Sequence, residues 1–242
     1  MSSTNVRDDQ LPRGAGSGAA DTRPLPAATV LVLRDDPFEV LMLRRTETSS
    51  FVPGAWVFPG GVMEQIDRDL STELLGGSFL GAMRVTAARE LFEETGLWLG
   101  EPLEDAESKR RRLLAGSLSF RSILNDSPVQ FDQLVWTARW ITPVAIPKRF
   151  DTYFFLAKVP RGAVATAEES ESVEALWISP EHALARHAAG ELGMVLPTIK
   201  NLEAITGFHS AEALLDSRRG VEVPAIEPVL IVENGQKKIV IP

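Results

Sequence analysis

Three glutamates, Glu90, Glu93 and Glu94, are spaced so that they would share one face of a helix. Residues at positions i, i+3 and i+4 of an α-helix are surface neighbours, so their carboxylates repel one another unless a cation neutralises them. Hard ions such as Mg²⁺ bind carboxylate and water oxygens, often together with the phosphates of a substrate. The spacing therefore predicts a divalent metal site and chemistry on phosphates.

A solvated acidic helix face, with Arg89 paired to Glu93, is the alternative explanation of this cluster. The upstream sequence favours the metal site instead. The apolar run Ala55-Trp56-Val57 predicts a strand, and it leads into Phe58-Pro59-Gly60-Gly61, where we expect a tight glycine turn that lets backbone approach a ligand closely. A strand, a glycine turn and an acidic helix that ends at Gly96 together indicate a ligand site.

The stretch from Arg89 to Leu97 resembles the signature of the Nudix hydrolase family, matching its second half at every specified position. The first half differs. Asp67 stands where the family has glutamate, and 21 residues instead of seven separate it from Arg89. The surplus, at about 68–81, is rich in leucine and predicts a helical insertion that covers or shapes the site.

The resemblance implies an α/β fold, a Nudix-type α/β/α sandwich around a mixed sheet, to which the insertion, C-terminal helices and a hairpin are added. It also implies hydrolysis of a nucleoside diphosphate linked to another group, with Mg²⁺ or Mn²⁺ as cofactor. The implied catalytic residues are Glu90, Glu93, Glu94 and Arg89. The same three glutamates are the implied metal ligands, and which acid is the general base stays open. Arg89 is expected to orient the acidic side chains.

Two further acids are candidate metal ligands. Asp67 occupies the position of a family acid, and Glu174 is chosen from four downstream glutamates because a later acid often completes such sites. The other three are Glu168, Glu169 and Glu171. A solvated acidic loop is the alternative for this downstream group.

The segment from Leu41 to Gly61 resembles the coenzyme A diphosphatase motif in its spacing, although only part of the motif matches. The matching residues are Arg45, Gly54 and Phe58-Pro59-Gly60-Gly61, and the differing ones are Leu43, Thr46 and Ser50. Residues 27–206 also resemble the peroxisomal coenzyme A diphosphatase branch of animals and its bacterial relatives. These resemblances imply coenzyme A or an acyl derivative as the substrate, cut to 3′,5′-ADP and (acyl-)4′-phosphopantetheine. The implied substrate-binding residues are Arg45, Gly60, Gly61 and Arg149.

Other nucleotides remain alternatives, among them ADP-ribose, NADH, dinucleoside polyphosphates and an RNA cap. ADP-ribose and dinucleoside polyphosphate hydrolases often carry a proline or a tyrosine shortly after the signature, and residues 112–115 contain neither. The lack of cysteine excludes a close relationship to zinc-bearing NADH diphosphatases. A non-catalytic nucleotide-binding module is the alternative from another class, but such a module is expected to have lost a carboxylate of the signature.

Composition and charge limit the domain organisation and the classes of function that we expect. The 242 residues, 44% of them apolar, can form one substantial core, so we expect a single domain at 27–242 with an extension from about 207. Residues 1–26, rich in small and polar types, predict a disordered tail. A net charge of −8 argues against nucleic-acid binding, because duplex binders generally present a basic surface.

Partners and location follow from the same composition. No run approaches the roughly 18–20 apolar residues of a membrane helix, so no membrane association is expected. The absence of cysteine excludes disulfides and thiol catalysis. We expect a cytoplasmic protein whose partner is a small nucleotide, and a homodimer is an open alternative by analogy with the family.

The remaining pattern predicts the elements that position the site. Strands are expected at 28–33, 39–43, 138–141, 151–159 and 176–178. Helices are expected at 104–115, 131–135, 180–189, 195–206 and 210–218. The apolar runs around Asn234-Gly235 predict a C-terminal hairpin that extends a sheet or forms a dimer contact.

Overall fold

The computed structural model describes residues 2–5, 23–49, 52–233 and 236–241. The strands are β1 Ser2–Asn5, β2 Leu25–Arg34, β3 Glu39–Arg45, β4 Trp56–Val57, β5 Gly60–Val62, β6 Val135–Ile141, β7 Phe150–Lys158, β8 Ser172–Ile178, β9 Ala225–Ile226, β10 Val229–Glu233 and β11 Gln236–Ile241. The helices are α1 Gln65–Leu74, α2 Phe79–Thr95, α3 Ala106–Leu114, α4 Phe120–Asp126, α5 Pro180–Ala188, α6 Leu196–Glu203 and α7 Ala211–Arg218, with a 3₁₀ turn at Phe131–Gln133.

Strand β2 lies in the middle of the main sheet, whose order is β4-β3-β2-β7-β6-β9. β7 runs parallel to β2 from the Leu25–Phe150 pair to the Leu33–Lys158 pair. β3 and β5 pair antiparallel with β2, and β8 pairs antiparallel with β3. The mixed sheet expected from the sequence is therefore confirmed.

Both faces of the central strand are buried, which explains its unbroken apolar run. Leu31 and Leu33 point to one face, where they belong to the same core as residues of α5, α6 and α7. Val30 and Val32 point to the other face and belong to a core with residues of α2. Helices thus cover both sides of the sheet, and the predicted α/β/α sandwich is confirmed.

Helix α2 carries the three glutamates and is longer than the signature alone indicates. It begins after Ser78, whose side chain accepts a hydrogen bond from the Gly81 backbone N–H, and it ends at Gly96. Gly96 has a φ of 74°, a left-handed conformation that glycine adopts without a steric penalty. The sequence predicted where this helix ends, and the Ser78 cap fixes where it begins.

The predicted insertion lengthens two helices. Residues 68–81 form the end of α1, a turn through Gly76 and Gly77, and the first turn of α2. α1 packs along α2. Among the described residues that line the cavity presented below, none comes from this insertion, and its role in covering or shaping the site stays a prediction.

Several local expectations also need correction. Gly60 and Gly61 lie in strand β5 opposite β2, and not in a turn. The helix expected at 131–135 is a single 3₁₀ turn, because Val135 already begins β6.

The terminal segments form a smaller sheet of order β1-β11-β10. The sequence predicted a disordered tail at residues 1–26. In the structure, Ser2–Asn5 instead pairs with β11, and β2 already begins at Leu25. Residues 6–22 of that predicted tail lie outside the described residues. The predicted C-terminal hairpin is present as β10 and β11, although its Asn234-Gly235 tip also lies outside them.

Within the described part of the chain, no helix combines the length and apolar character needed to cross a bilayer.

Candidate active site

Glu94 lies at the centre of the site, where helix α2 meets strand β5. Glu94 is 5% exposed, and its Oε2 accepts a hydrogen bond of 2.9 Å from the Gly60 backbone N–H. Glu90 lies one turn earlier on the same helix and faces Gly61. The structure therefore brings two of the predicted carboxylates against the two glycines, as their spacing on a helix requires.

Only glycine fits at both strand positions. A Cβ atom at Gly60 would lie 2.3 Å from the carbonyl oxygen of Ala28, and a Cβ atom at Gly61 would lie 2.4 Å from the carboxyl carbon of Glu90. Both distances are far below van der Waals contact. The glycines allow the backbone of β5 to approach the acidic helix, which is the physical reason for their place in the motif.

Arg89 lies behind the carboxylates and holds them in place. Its Nη1 donates to Glu90 Oε1 and to Glu93 Oε2, each at 2.9 Å, and its Nη2 donates to the Val62 carbonyl at 3.2 Å. The Arg89 side chain is only 5% exposed and is not among the described residues that line the cavity. This geometry agrees with the expected role of Arg89, which is to orient the acidic side chains.

Asp67 is the other partner of Arg89. Its Oδ1 accepts from Arg89 Nε at 2.9 Å and its Oδ2 from Arg89 Nη2 at 2.8 Å. Oδ2 also accepts from the Thr86 hydroxyl at 3.0 Å and the Glu64 backbone N–H at 2.9 Å. The side chain is 0% exposed. Because both oxygens are already occupied, the expectation that Asp67 binds the metal is corrected to a structural role.

The environment disfavours the ionised form of the acidic side chains. Burial raises the pKa of the Glu90 carboxyl to about 7, and the charges of Glu93 and Glu171 add to this rise. Burial also raises the pKa of Glu94 well above its usual range, and Glu90 adds to that effect. The pKa of Glu93 is raised by burial as well, although Arg89 opposes the shift. In the protein alone, burial therefore favours the protonated forms of these carboxyl groups.

The donor set fits a hard divalent cation. Glu90 and Glu94 offer carboxylate oxygens beside backbone that approaches closely, and burial raises the pKa of both, so a bound cation would favour their ionised forms. Among the described residues, no three acidic or histidine side chains form a group that could hold a metal ion, so the site would offer a cation two carboxylates and no complete cage. An open arrangement suits Mg²⁺, which usually keeps water and phosphate ligands. Glu93 could bind the cation only through the carboxylate oxygen that does not accept a hydrogen bond from Arg89.

The downstream acid at the site is Glu171, and not Glu174. Glu171 lines the cavity beside Glu90, and its charge contributes to the raised pKa of Glu90 and Glu94. Glu174 is exposed on β8 opposite Arg44. The loop carrying Glu171 is fixed to the end of α2, since the Glu168 backbone N–H donates to the Glu94 carbonyl at 3.1 Å.

A cavity of about 520 Å³ opens from this acidic edge. The site residues Arg45, Gly60, Gly61, Glu90 and Glu171 line one part of it. Arg45 Nε is buried and finds no hydrogen-bond acceptor in the described part of the chain. Its position beside the acidic edge, with an unsatisfied donor, suits an anionic substrate group.

Arg149 does not join this group, although it was expected to bind substrate. Its side chain is 5% exposed, and its Nη2 donates to Glu227 Oε1 at 2.7 Å. Its Nε donates to the Thr142 carbonyl at 2.9 Å. Arg149 ties the loop before β7 to the segment that follows β9, which is a structural function.

The metal-free protein should lose stability as the pH rises from about 4.5 to about 7. A carboxyl whose pKa is raised on folding binds more protons in the folded than in the unfolded state between its two pKa values, so stability is full below the unfolded value and falls above it. For Glu90 this window runs from 4.5 to about 7. The shift corresponds to about 3 kcal/mol, of which about 2 kcal/mol is lost between pH 5.5 and pH 8, or roughly 4–8 °C in melting temperature for a chain of this size.

Melting curves in a chelator at pH 5.5 and pH 8 would measure this loss. Added Mg²⁺ or Mn²⁺ should restore melting temperature at pH 8, and Glu90→Gln should flatten the pH dependence, whereas Glu174→Gln should leave it unchanged. A chelated wild-type protein that melts higher at pH 8 than at pH 5.5 would contradict the electrostatic description of the site.

The chain matches the family model for the NUDIX domain over residues 23–199. It is 28% identical to the acyl-coenzyme A diphosphatase NUDT19 of Gallus gallus over 241 aligned residues, which cover 73% of this chain and 63% of that protein. The chain is 24% identical to the same enzyme from Xenopus laevis, and the alignment covers 71% of this chain and 60% of that protein. The chain thus spans somewhat less than two thirds of the length of these curated relatives.

Among solved structures, a NUDIX hydrolase from Alicyclobacillus acidocaldarius superposes with a TM-score of 0.72 and 30% sequence identity. The match covers 81% of this chain and 97% of that structure. The sheet order and the helices on both of its faces therefore have a close experimental counterpart.

Proposed function

Since the chain belongs to the Nudix family, we propose that it hydrolyses a diphosphate bond in a nucleoside diphosphate derivative. The observation that carries this proposal is the pairing of Glu90 and Glu94 with the glycines of β5 at the edge of a substrate-sized cavity. Two buried carboxyl groups beside closely approaching backbone would form an open site for a cation and phosphate oxygens.

Mg²⁺ or Mn²⁺ held by Glu90 and Glu94 would offset the diphosphate charge and polarise a phosphoryl oxygen. Water attacks one phosphorus, the bond from that phosphorus to the bridging oxygen breaks, and two phosphate monoesters form. A cavity-lining carboxylate that the cation leaves free can accept the proton that the attacking water loses, and Glu90 is one candidate when Glu94 holds the cation. Glu171, which lies on the same wall, is the second candidate for this base.

Within this class, coenzyme A and its acyl derivatives are the proposed substrates. Arg45, in the half of the coenzyme A diphosphatase motif that matches, lies at the acidic edge with an unsatisfied Nε donor. Beyond that edge the cavity is mainly apolar, with Trp140, Phe154 and Met194 among its walls. A charged end next to an apolar interior suits a molecule that joins a diphosphate to a long, weakly polar arm.

A substrate panel tests this proposal. The purified protein with Mg²⁺ or Mn²⁺ is incubated with coenzyme A, acetyl-coenzyme A, ADP-ribose, NADH and diadenosine polyphosphates, and the products are resolved by mass. We expect preferential release of 3′,5′-ADP and (acyl-)4′-phosphopantetheine. Preference for another nucleotide would keep the hydrolase and reject coenzyme A, and no turnover of any compound would favour a non-catalytic nucleotide-binding module.

Arg45→Ala tests the substrate contact separately. It should raise KM for coenzyme A by about tenfold, since hydrogen bonds to charged groups contribute roughly 1.5–3 kcal/mol. Arg44→Ala is the matched control, because Arg44 is the adjacent residue and pairs with Glu47. Equal effects of the two substitutions would show that Arg45 does not contact the substrate.

A homodimer and a cytoplasmic location stay predictions of the sequence.

A further inference from the structure

The C-terminal hairpin forms part of the cavity wall. Pro228, just before β10, and Ile239 of β11 line the cavity. Ile239 is 9% exposed and belongs to the same apolar core as Trp140, Phe154 and Met194. These residues come from elements far apart in the sequence, so the hairpin closes a space that the sheet and helices alone would leave open.

One face of the hairpin turns toward the domain. Leu230 and Ile239 are directly opposite each other in the β10–β11 ladder, and Ile241 follows two positions later, so all three point to the same side. Leu230 and Ile241 are partly buried against the core that contains Ile239. Ile231, on the opposite face of β10, is 38% exposed. The hairpin is therefore amphipathic, and its apolar side meets the cavity.

The hairpin is also anchored at its base. Strand β9 pairs with β6 through Arg139–Ala225 and Trp140–Ile226. The buried Arg149 side chain then forms its ion pair with Glu227. Two independent attachments thus hold the segment immediately before Pro228, which fixes where the hairpin crosses the cavity.

We infer that this hairpin sets the size of the apolar group that the cavity accepts, and that Ile239 is its specificity-determining residue. The inference rests on the proposed hydrolysis of acyl-coenzyme A derivatives. The diphosphate lies at the acidic edge, and the apolar substituent extends toward the wall that Ile239 completes. The volume of the Ile239 side chain then limits the length of that substituent, because packed apolar walls discriminate by steric fit.

The test compares kcat/KM for acetyl-coenzyme A and octanoyl-coenzyme A in three variants of the full chain. Ile239→Ala enlarges the cavity and should raise the octanoyl-to-acetyl ratio of kcat/KM on the order of tenfold, because a small change in the size of a hydrophobic pocket usually alters discrimination by about that factor. Ile239→Phe fills the cavity and should lower the same ratio. Ile231→Ala makes the same truncation on the exposed face of the hairpin and should leave the ratio unchanged.

Opposite shifts for alanine and phenylalanine distinguish a steric limit from general loss of packing, which would move both variants in the same direction. The inference is overturned if both Ile239 variants keep the wild-type ratio, if both change it in the same direction, or if Ile231→Ala changes it as much. Absence of any turnover of coenzyme A esters by the wild-type protein would overturn the proposed substrate, and the inference with it.

Discussion

Glu94→Gln should lower kcat/KM by about 10³-fold, the loss expected when roughly 4 kcal/mol of transition-state stabilisation by a cation is removed. Glutamine keeps the size of the side chain, and its amide oxygen can still accept from the Gly60 N–H. The negative charge is what disappears. Steady-state kinetics with Mg²⁺ or Mn²⁺ would measure the effect, together with metal binding by calorimetry.

The same substitution removes a buried charge whose pKa is raised, so the metal-free variant should melt no lower than the wild type. Glu174→Gln is the matched control, since Glu174 is exposed on β8 and should be silent in both measurements. Near wild-type turnover in Glu94→Gln would show that Glu94 does not bind the catalytic metal. A large drop in melting temperature would show that its charge stabilises the fold.

Arg89→Ala should lower the free energy of unfolding by about 3–5 kcal/mol, because it leaves the fully buried Asp67 carboxylate without its cation. The same change releases Glu90 and Glu93 from their hydrogen bonds, so activity should fall as well. Urea unfolding followed by circular dichroism gives the stability change, and residual kcat/KM gives the catalytic one.

Arg121→Ala is the comparison, because Arg121 pairs with Glu73 where both side chains are more than 40% exposed. An exposed pair contributes about 0–1 kcal/mol. The double variant Arg89→Met with Asp67→Leu should recover part of the stability but none of the activity, since it removes the unpaired charge and still frees the glutamates. Equal losses for Arg89→Ala and Arg121→Ala would show that burial of the pair has no energetic importance.

Local pattern was enough to predict the parts of the site that lie close together in sequence. The spacing of Glu90, Glu93 and Glu94 predicted a shared helix, and α2 places Glu90 in the cavity wall and Glu94 against Gly60, which also lines the cavity. Helix periodicity does not depend on distant residues, so it can be read without the fold. It does not show which oxygens of these glutamates Arg89 occupies, because that depends on where Asp67 holds the guanidinium group.

Long-range contacts determined the parts that sequence did not predict. Asp67 meets Arg89 only because α1 packs along α2, and Arg149 is paired with Glu227, 78 positions away. The choice between Glu171 and Glu174 depended on the β3–β8 pairing, whose register shifts next to Arg45. The proximity of Glu171 to Arg45 and Glu90 in one cavity is visible only in three dimensions.

The parallel pairing of β2 with β7 also has a consequence for how the chain folds. Leu25 and Phe150 are neighbours in the sheet, yet more than a hundred residues separate them. Closing so long a loop costs conformational entropy before the ladder returns any hydrogen bonds, and such non-local topology slows folding. During synthesis, β2 and α2 leave the ribosome well before β7, so the apolar central strand has an unpaired edge for that time. We expect this interval to be the stage at which the nascent chain is most prone to aggregate.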